Sequence, residues 1–321
     1  MSEPITLPAK VLLLEHDADA YADLLAFCER LGLIVLPCTA LDAKAMLDRH
    51  KDLGGVLLAE DLPCEDGDAW ALARNLHRVR PELPVFLRRT SDAPPPDSAT
   101  GSIAQAWVSG DIDALEAAVN RWLFSLRYPP TLVSGIVELT RHSVASMFPY
   151  AEVTNDPPYV VRDRIIFGQL STLIPLESHW CRGYMMLQCD ERALRQGLMQ
   201  GFSFEGAGGD LSFRDLTALM AEVTNLIWGA FKNQYAPPEA VAPVLVQVPV
   251  VINHEQKYIS FGNEDPQLCL RWHLTDPRRP GLPPFTIVQR MIFNLWWSPE
   301  GFEELAAAPP LAGPTGVLEL F

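Results

Sequence analysis

The sequence predicts two folded units: a doubly wound α/β domain first, then an α+β domain. Three observations carry this. Over the first ~125 residues, short apolar runs alternate with stretches of helical periodicity, the order of a parallel sheet covered by helices on both faces. At Arg127-Tyr-Pro-Pro130 the alternation stops at a short, stiff linker. Beyond it come long helical patterns and adjacent strand pairs, which is α+β order. A chain of 321 residues also exceeds what one core usually supports. The expected boundaries are 1–128 and 129–306, with a Pro/Gly-rich tail at 307–321 expected to be poorly ordered.

In chain order, 10–15 (KVLLLE) reads as a buried strand. A helix follows over 17–31, with Tyr21, Leu24, Leu25 and Cys28 at helical spacing and Gly32 closing it. Strands at 33–38, 54–60, 83–89 and 106–109 alternate with helices at 40–50, 68–79 and 111–126. Between the fourth and fifth strands the run Ala-Pro-Pro-Pro-Asp cannot sit inside a helix, so a helix there is short, displaced or absent. Five strands in this order give the flavodoxin-like form of the doubly wound fold. In the second unit, a helix is expected at 133–147. Strands at 165–177 and 181–189 pair around a tight Ser-His-Trp turn, and a helix follows at 191–199. A Gly-rich loop at 205–210 then leads into a long helix, and 242–253, 267–274 and 285–294 are further strand candidates.

The formal charge of −15 excludes nucleic acid and an anionic membrane surface, which require concentrated Lys and Arg. The N-terminus lacks the basic and apolar regions of a signal peptide, and no apolar run approaches the ~20 residues that span a bilayer. Six scattered cysteines without C-x-x-C spacing read as thiols of a reducing cytosol. The expected location is cytoplasmic.

The first unit resembles the receiver domain of response regulators (CheY-like), with its chemistry removed. A working receiver holds Mg²⁺ on acids after its first strand and ends its third strand with an aspartate nucleophile. A Ser/Thr ends the fourth strand and a Lys the fifth. Aligned on Pro63 and Gly67, this sequence has Ala59 at the aspartate position. Glu15 and His16 stand for the acidic pair, with Asp17 next; Arg89 falls at the Ser/Thr position, with Thr90 one residue late. Ser109-Gly110 replaces Lys-Pro. A register slip would instead make Glu60 or Asp61 the acceptor, and Glu60 could alternatively imitate a permanently charged state. The resemblance therefore implies a pseudo-receiver.

In the second unit, Ser212-Phe-Arg-Asp215 is a capping-box-like helix start. Phe213, Leu216, Met220, Val223, Ile227 and Ala230/Phe231 then form an apolar stripe. At 100° per residue, Glu222 lies roughly 135° and Asn225 roughly 165° from the stripe centre, so both face solvent together. Gly229 sits one turn on, where a glycine costs about 1 kcal/mol relative to alanine and would let another surface approach. E-x-x-N alone is a weak signal. The longer string Ala221-Glu-Val-Thr-Asn-Leu-Ile-Trp-Gly229, with Pro249 downstream, resembles the motif helix of the CheC/CheX/FliY phosphatases over about residues 131–295.

What that resemblance implies is a protein-aspartyl-phosphate phosphatase of CheX type, in two-component or chemotaxis signalling. Its catalytic residues would be Glu222 and Asn225, with Gly229 and Ala218 where the partner approaches. Ala218 departs from the Asp/Ser that CheC carries there, and Glu138 followed by Arg141 in the preceding helix supplies no second pair. The substrate would be a phosphorylated response-regulator receiver that brings its own Mg²⁺, so no cofactor or metal is expected on this chain. A homodimer is implied as well. The reading left open is a non-catalytic dimeric adaptor, with enzyme activity undecided between the two. Gly206-Ala-Gly-Gly209 lacks the Lys-Ser/Thr of a P-loop, Pro277-Arg-Arg-Pro280 reads as a hairpin turn, and Trp296-Trp297 as packing.

Overall fold

A computed structural model describes residues 7–65, 67–90, 96, 101–162, 165–199, 211–235, 251–253, 257–260, 265–279, 281 and 284–298. The Gly-rich loop at 205–210, Pro249 and the 307–321 tail lie outside these.

The first unit runs β1 (Ala9–Leu14), α1 (Ala18–Arg30), β2 (Leu33–Pro37), α2 (Ala43–Arg49), β3 (Leu53–Ala59), α3 (Ala69–Val79), β4 (Val85–Arg89), β5 (Gln105–Val108) and α4 (Ile112–Trp122). The sheet is parallel in the order β2-β1-β3-β4-β5. That order, with its reversal between β1 and β3, is the flavodoxin-like topology, whose functional crevice lies at the carboxyl ends of the strands. Side chains alternate along each strand, so each face feeds its own core. Leu13, Leu57, Phe86 and Trp107 pack against α1 and α4. Leu12, Leu14, Leu58 and Leu87 pack against α2 and α3. Asp17, Asp68 and Asp111 each cap a helix by accepting a backbone N–H three residues on, at 2.7–3.1 Å. Between β4 and β5 no described residue is helical; 91–95 and 97–100 lie outside.

The second unit runs α5 (Pro130–Met147), β6 (Glu152–Asn155), β7 (Tyr159–Val161), β8 (Leu170–Glu177), β9 (Cys181–Cys189), α6 (Glu191–Met199), α7 (Phe213–Tyr235), β10 (Val251–Asn253), β11 (Tyr258–Ser260), β12 (Gln267–Thr275) and β13 (Phe285–Trp297). β6-β12-β13-β9-β8 form an antiparallel sheet, and β7 also pairs with β12. Three differences from the sequence reading have local causes. α5 begins at Pro130, since proline suits a first helical turn that needs no N–H. The strand expected at 165–177 starts at Leu170, because Gly168 takes φ +69. β6 and β7, only 4 and 3 residues long, carry too few residues for a readable period.

One face of this sheet is covered by α5, α6 and α7, in a core that includes Ile136, Leu194, Met220, Met185 and Trp272. α5 and α7 cross where Gly135 meets Tyr235; a Cβ on Gly135 would stand 1.6 Å from the Tyr235 hydroxyl. Trp180 is fully buried, donates from Nε1 to the Tyr235 carbonyl at 2.9 Å, and stacks among Phe231, Phe293 and Trp297. Trp296 stays exposed over Arg182, so the Trp pair divides between core and surface. Arg278 and Arg279 both bond Asp276 in the β12–β13 connection, as a hairpin turn requires.

The sheet's other face meets the first unit at the amino ends of β1 and β3. Asp52 is ion-paired with Lys10 and lies 3.8 Å from Arg271. Val160 N–H donates to the Pro8 carbonyl at 3.0 Å. Arg162 donates to the Trp122 carbonyl at 2.7 Å and stacks over that ring. Tyr128, at the end of the first unit, buries its ring beside Phe293 and Trp297 and donates to the Pro266 carbonyl. The joint thus leaves both the carboxyl ends of the parallel strands and α7 facing elsewhere.

Candidate functional site

At the carboxyl ends of β1, β3 and β4 the chain builds a closed ionic cluster. Ala59 ends β3, is 1% exposed and lies opposite Arg88 in register. Arg88 forks onto Glu15, with Nε to Oε2 at 2.6 Å and Nη2 to Oε1 at 2.9 Å. The same guanidinium reaches Ser109 Oγ at 2.9 Å and Asp61 Oδ1 at 3.0 Å. Glu15 also accepts the backbone N–H groups of His16 and Asp17, both at 2.9 Å. The Glu15 and Arg88 side chains are 1% and 8% exposed. Burial alone would weaken the Arg88 charge, but the Glu15 bonds and the Glu15, Asp61 and Asp17 charges raise its pKa above the ordinary value.

The sequence alignment puts Arg89 at the Ser/Thr position, but the residue that reaches Glu15 is its neighbour Arg88. A one-residue shift in a strand reverses the face. Phe86 faces α1 and α4, so Arg88 shares its side; Leu87 faces α2 and α3, so Arg89 shares that one. Arg89 stacks over Trp70 and bonds Glu60 at 3.1 Å. Glu60 also accepts the Thr90 N–H at 3.0 Å; these bonds outweigh burial and hold its carboxyl below the usual range. Arg88 was missed by the sequence reading, because strand alternation separates the two arginines without saying which one faces Glu15.

Chemically, this site cannot accept phosphate on Ala59. Glu15, His16 and Asp61 offer atoms within 4.8 Å of one another, the layout of a cation site. The Arg88 guanidinium already bonds both carboxylates of that group. The guanidinium thus supplies positive charge inside this carboxylate group.

α7 presents the opposite case. Ser212 and Asp215 form the expected reciprocal cap: the Ser212 N–H donates to Asp215 Oδ2 at 2.8 Å and the Asp215 N–H to Ser212 Oγ at 3.3 Å. Those bonds hold the Asp215 carboxyl below its ordinary range. Leu216, Met220, Val223, Ile227 and Phe231 are buried, but Phe213 is 59% exposed because the first turn overhangs the core. Thr224, inside the motif, is buried; its hydroxyl donates to the Met220 carbonyl and meets Thr172 Oγ1 of β8 at 2.5 Å. That anchor fixes the helix's rotation, and a buried hydroxyl beside an apolar stripe was its only trace in the sequence.

The structure brings Ala218, Glu222, Asn225 and Gly229 onto one outward face; Ala218 and Asn225 are exposed, Glu222 and Gly229 half-buried. Among the described residues, neither Glu222 nor Asn225 has a side-chain hydrogen bond or ion pair. A Cβ on Gly229 would meet nothing within 4 Å. α7 packs against α5, α6, β8 and β9, on the side of the sheet away from the first unit.

The six cysteines form no disulfide among the described residues, and burial pushes the Cys28, Cys181 and Cys189 thiols up to about 12, which favours the protonated form at neutral pH. No described helix is long and apolar enough to cross a membrane.

No family model matches this sequence, and no curated protein matches it. Solved structures resemble its N-terminal part. A two-component response regulator from Clostridium difficile is 20% identical, with 35% of this chain and 93% of that one covered at TM-score 0.31. The signal receiver domain of an HD domain-containing protein from Pseudomonas fluorescens is 18% identical, covering 36% and 94% at 0.31. A Thermotoga maritima response regulator, in complex with magnesium and beryllofluoride, is 14% identical, covering 36% and 99% at 0.33. The flavodoxin-like assignment rests on strand order, register and helix placement.

Proposed function

We propose that this chain regulates two-component phosphorelay signalling as a CheX-type phosphatase for the aspartyl phosphate of a separate receiver protein. The observation that carries the reading is the outward Glu222–Asn225 pair on α7, without a side-chain partner among the described residues while the helix's other face is pinned by Thr224 and its apolar stripe. In this role the Asn225 amide enters the partner's phosphorylated site and orients the attacking water by hydrogen bonds. Glu222 pairs with a lysine of the partner and fixes the approach. The partner's own Mg²⁺ neutralises the phosphoryl oxygens. The reaction breaks the phosphorus–oxygen bond of the acyl phosphate, releasing inorganic phosphate and the free carboxylate.

The N-terminal unit, with Ala59 for a nucleophile and Arg88 filling the site, serves docking or regulation. The cluster's loss of chemistry also favours a second reading, a dimeric adaptor that binds receivers without dephosphorylating them. One experiment separates the two. Loss of phosphate is followed from a panel of phosphorylated, Mg²⁺-loaded receivers of the host, with wild-type protein and with Asn225→Ala. Acceleration by roughly a hundredfold that vanishes in the variant is expected, as for loss of a water-positioning group. Binding without acceleration on every receiver would leave the adaptor.

A further inference from the structure

The joint between the two units encloses a cavity of about 210 Å³ whose chemistry neither reading uses. Its walls include Lys51 from the turn before β3, Arg271 of β12, Arg290 of β13 and Lys257 at the start of the β11 turn. In a chain with formal charge −15, this is a marked local excess of positive charge. The one acid among the described lining residues, Asp52, is ion-paired with Lys10 and lies 3.8 Å from Arg271. Among the described residues, the Lys51 ammonium pairs only with exposed Asp48, at 3.7 Å.

Two further observations indicate missing hydrogen-bond partners. Arg271 Nε is shielded from solvent and has no hydrogen-bond partner among the described residues. Gln188, fully buried on the same sheet face and in register with Val288 of the cavity wall, has both amide atoms without a partner among the described residues. Buried polar groups are ordinarily bonded, so orphans beside a basic cavity call for a ligand or water. Lys257 holds φ +50, a left-handed conformation that non-glycine residues rarely adopt. Phe167 and Val288 add an apolar wall.

We infer that this cleft binds a small anion, a phosphate or carboxylate carried on a compact apolar body, with Lys51 supplied by the first unit and Lys257, Arg271 and Arg290 by the second. The volume lies below the roughly 300 Å³ at which drug-sized ligand pockets begin, which fits a single ring bearing one anionic group. Because both units contribute, the bound anion favours the docked arrangement over any in which they separate.

The test is calorimetric titration of the full chain with phenyl phosphate, benzoate and the uncharged benzyl alcohol. Saturable binding of either anion at millimolar or lower concentration is expected, with none for benzyl alcohol; which anion binds names the class. Lys257→Asn, which tolerates the left-handed backbone, and Lys51→Ala should each weaken binding roughly tenfold. Both variants must keep the wild-type thermal midpoint, and their substituted side chains are exposed. Absence of saturable binding by both anions to wild-type protein overturns the inference, and so does affinity unchanged from wild type in both variants.

Discussion

At the carboxyl ends of β1, β3 and β4, charge is met inside the chain: Glu15 and Asp61 share the Arg88 guanidinium, and Glu60 takes Arg89. On α7 a carboxylate and an amide stand three residues apart with no partner among the described residues, on a helix fixed by Thr224. A phosphorylatable receiver must keep its acids available for a metal and a phosphoryl group, so a cluster satisfied by its own arginine has given up that exchange. A surface that acts on another protein must keep its polar groups unsatisfied until the partner arrives. On the proposed function, stability and activity would fall on different faces of this molecule, and substitutions should separate them.

The largest effect is expected at the closed site. Arg88→Met keeps most of the volume and leaves Glu15 buried with, among the described residues, the His16 and Asp17 backbone donors and the His16 ring at 3.7 Å. Removing one partner of a buried pair costs about 3–5 kcal/mol, read as a lowered midpoint in urea unfolding. Adding Glu15→Gln should recover part of that loss, since the uncompensated charge is gone. A near-neutral Arg88→Met would break the comparison, because the cluster would then be as open as α7.

Two glycines sharpen it next. Gly135→Ala forces a Cβ to 1.6 Å from the Tyr235 hydroxyl, where α5 and α7 cross. Overpacking of this kind costs about 1–3 kcal/mol, and Tyr235→Phe in the same chain should relieve part of it. Gly229→Ala goes the other way. Its Cβ meets nothing within 4 Å, so the variant should gain about 1 kcal/mol from helix propensity. Both are read by thermal or urea unfolding. Gly229→Ala should also slow dephosphorylation of a receiver that must come close to this face.

Much of this contrast was legible before the fold was known. The strand and helix alternation of the first unit, the capping box at Ser212 and the outward angle of Glu222 and Asn225 follow from periodicity, which the structure keeps. Arg88 was not legible, because two consecutive arginines end β4 and only register with β3 decides which one faces Glu15. Thr224 was hidden because its partner, Thr172, lies 52 residues away on a separate strand. The basic cavity at the joint gathers residues from the turn before β3, β12, β13 and the β11 turn, so no local pattern could show it.

The smallest expected effect bears most directly on function. Asparagine in an exposed helix interior is a poorer helix former than alanine by about half a kcal/mol, because its side chain competes for backbone bonds. Asn225 has no described partner to offset that, so Asn225→Ala should leave the unfolding midpoint unchanged or raise it by that amount. Glu222→Ala should behave alike, within about 0.5 kcal/mol. If either variant instead lowered stability by more than about 1 kcal/mol, the polar pair would be holding the fold, and its outward placement would need no partner to account for it. A neutral or stabilising result, joined to loss of receiver dephosphorylation in the same preparation, would mean that this face carries residues the fold does not need.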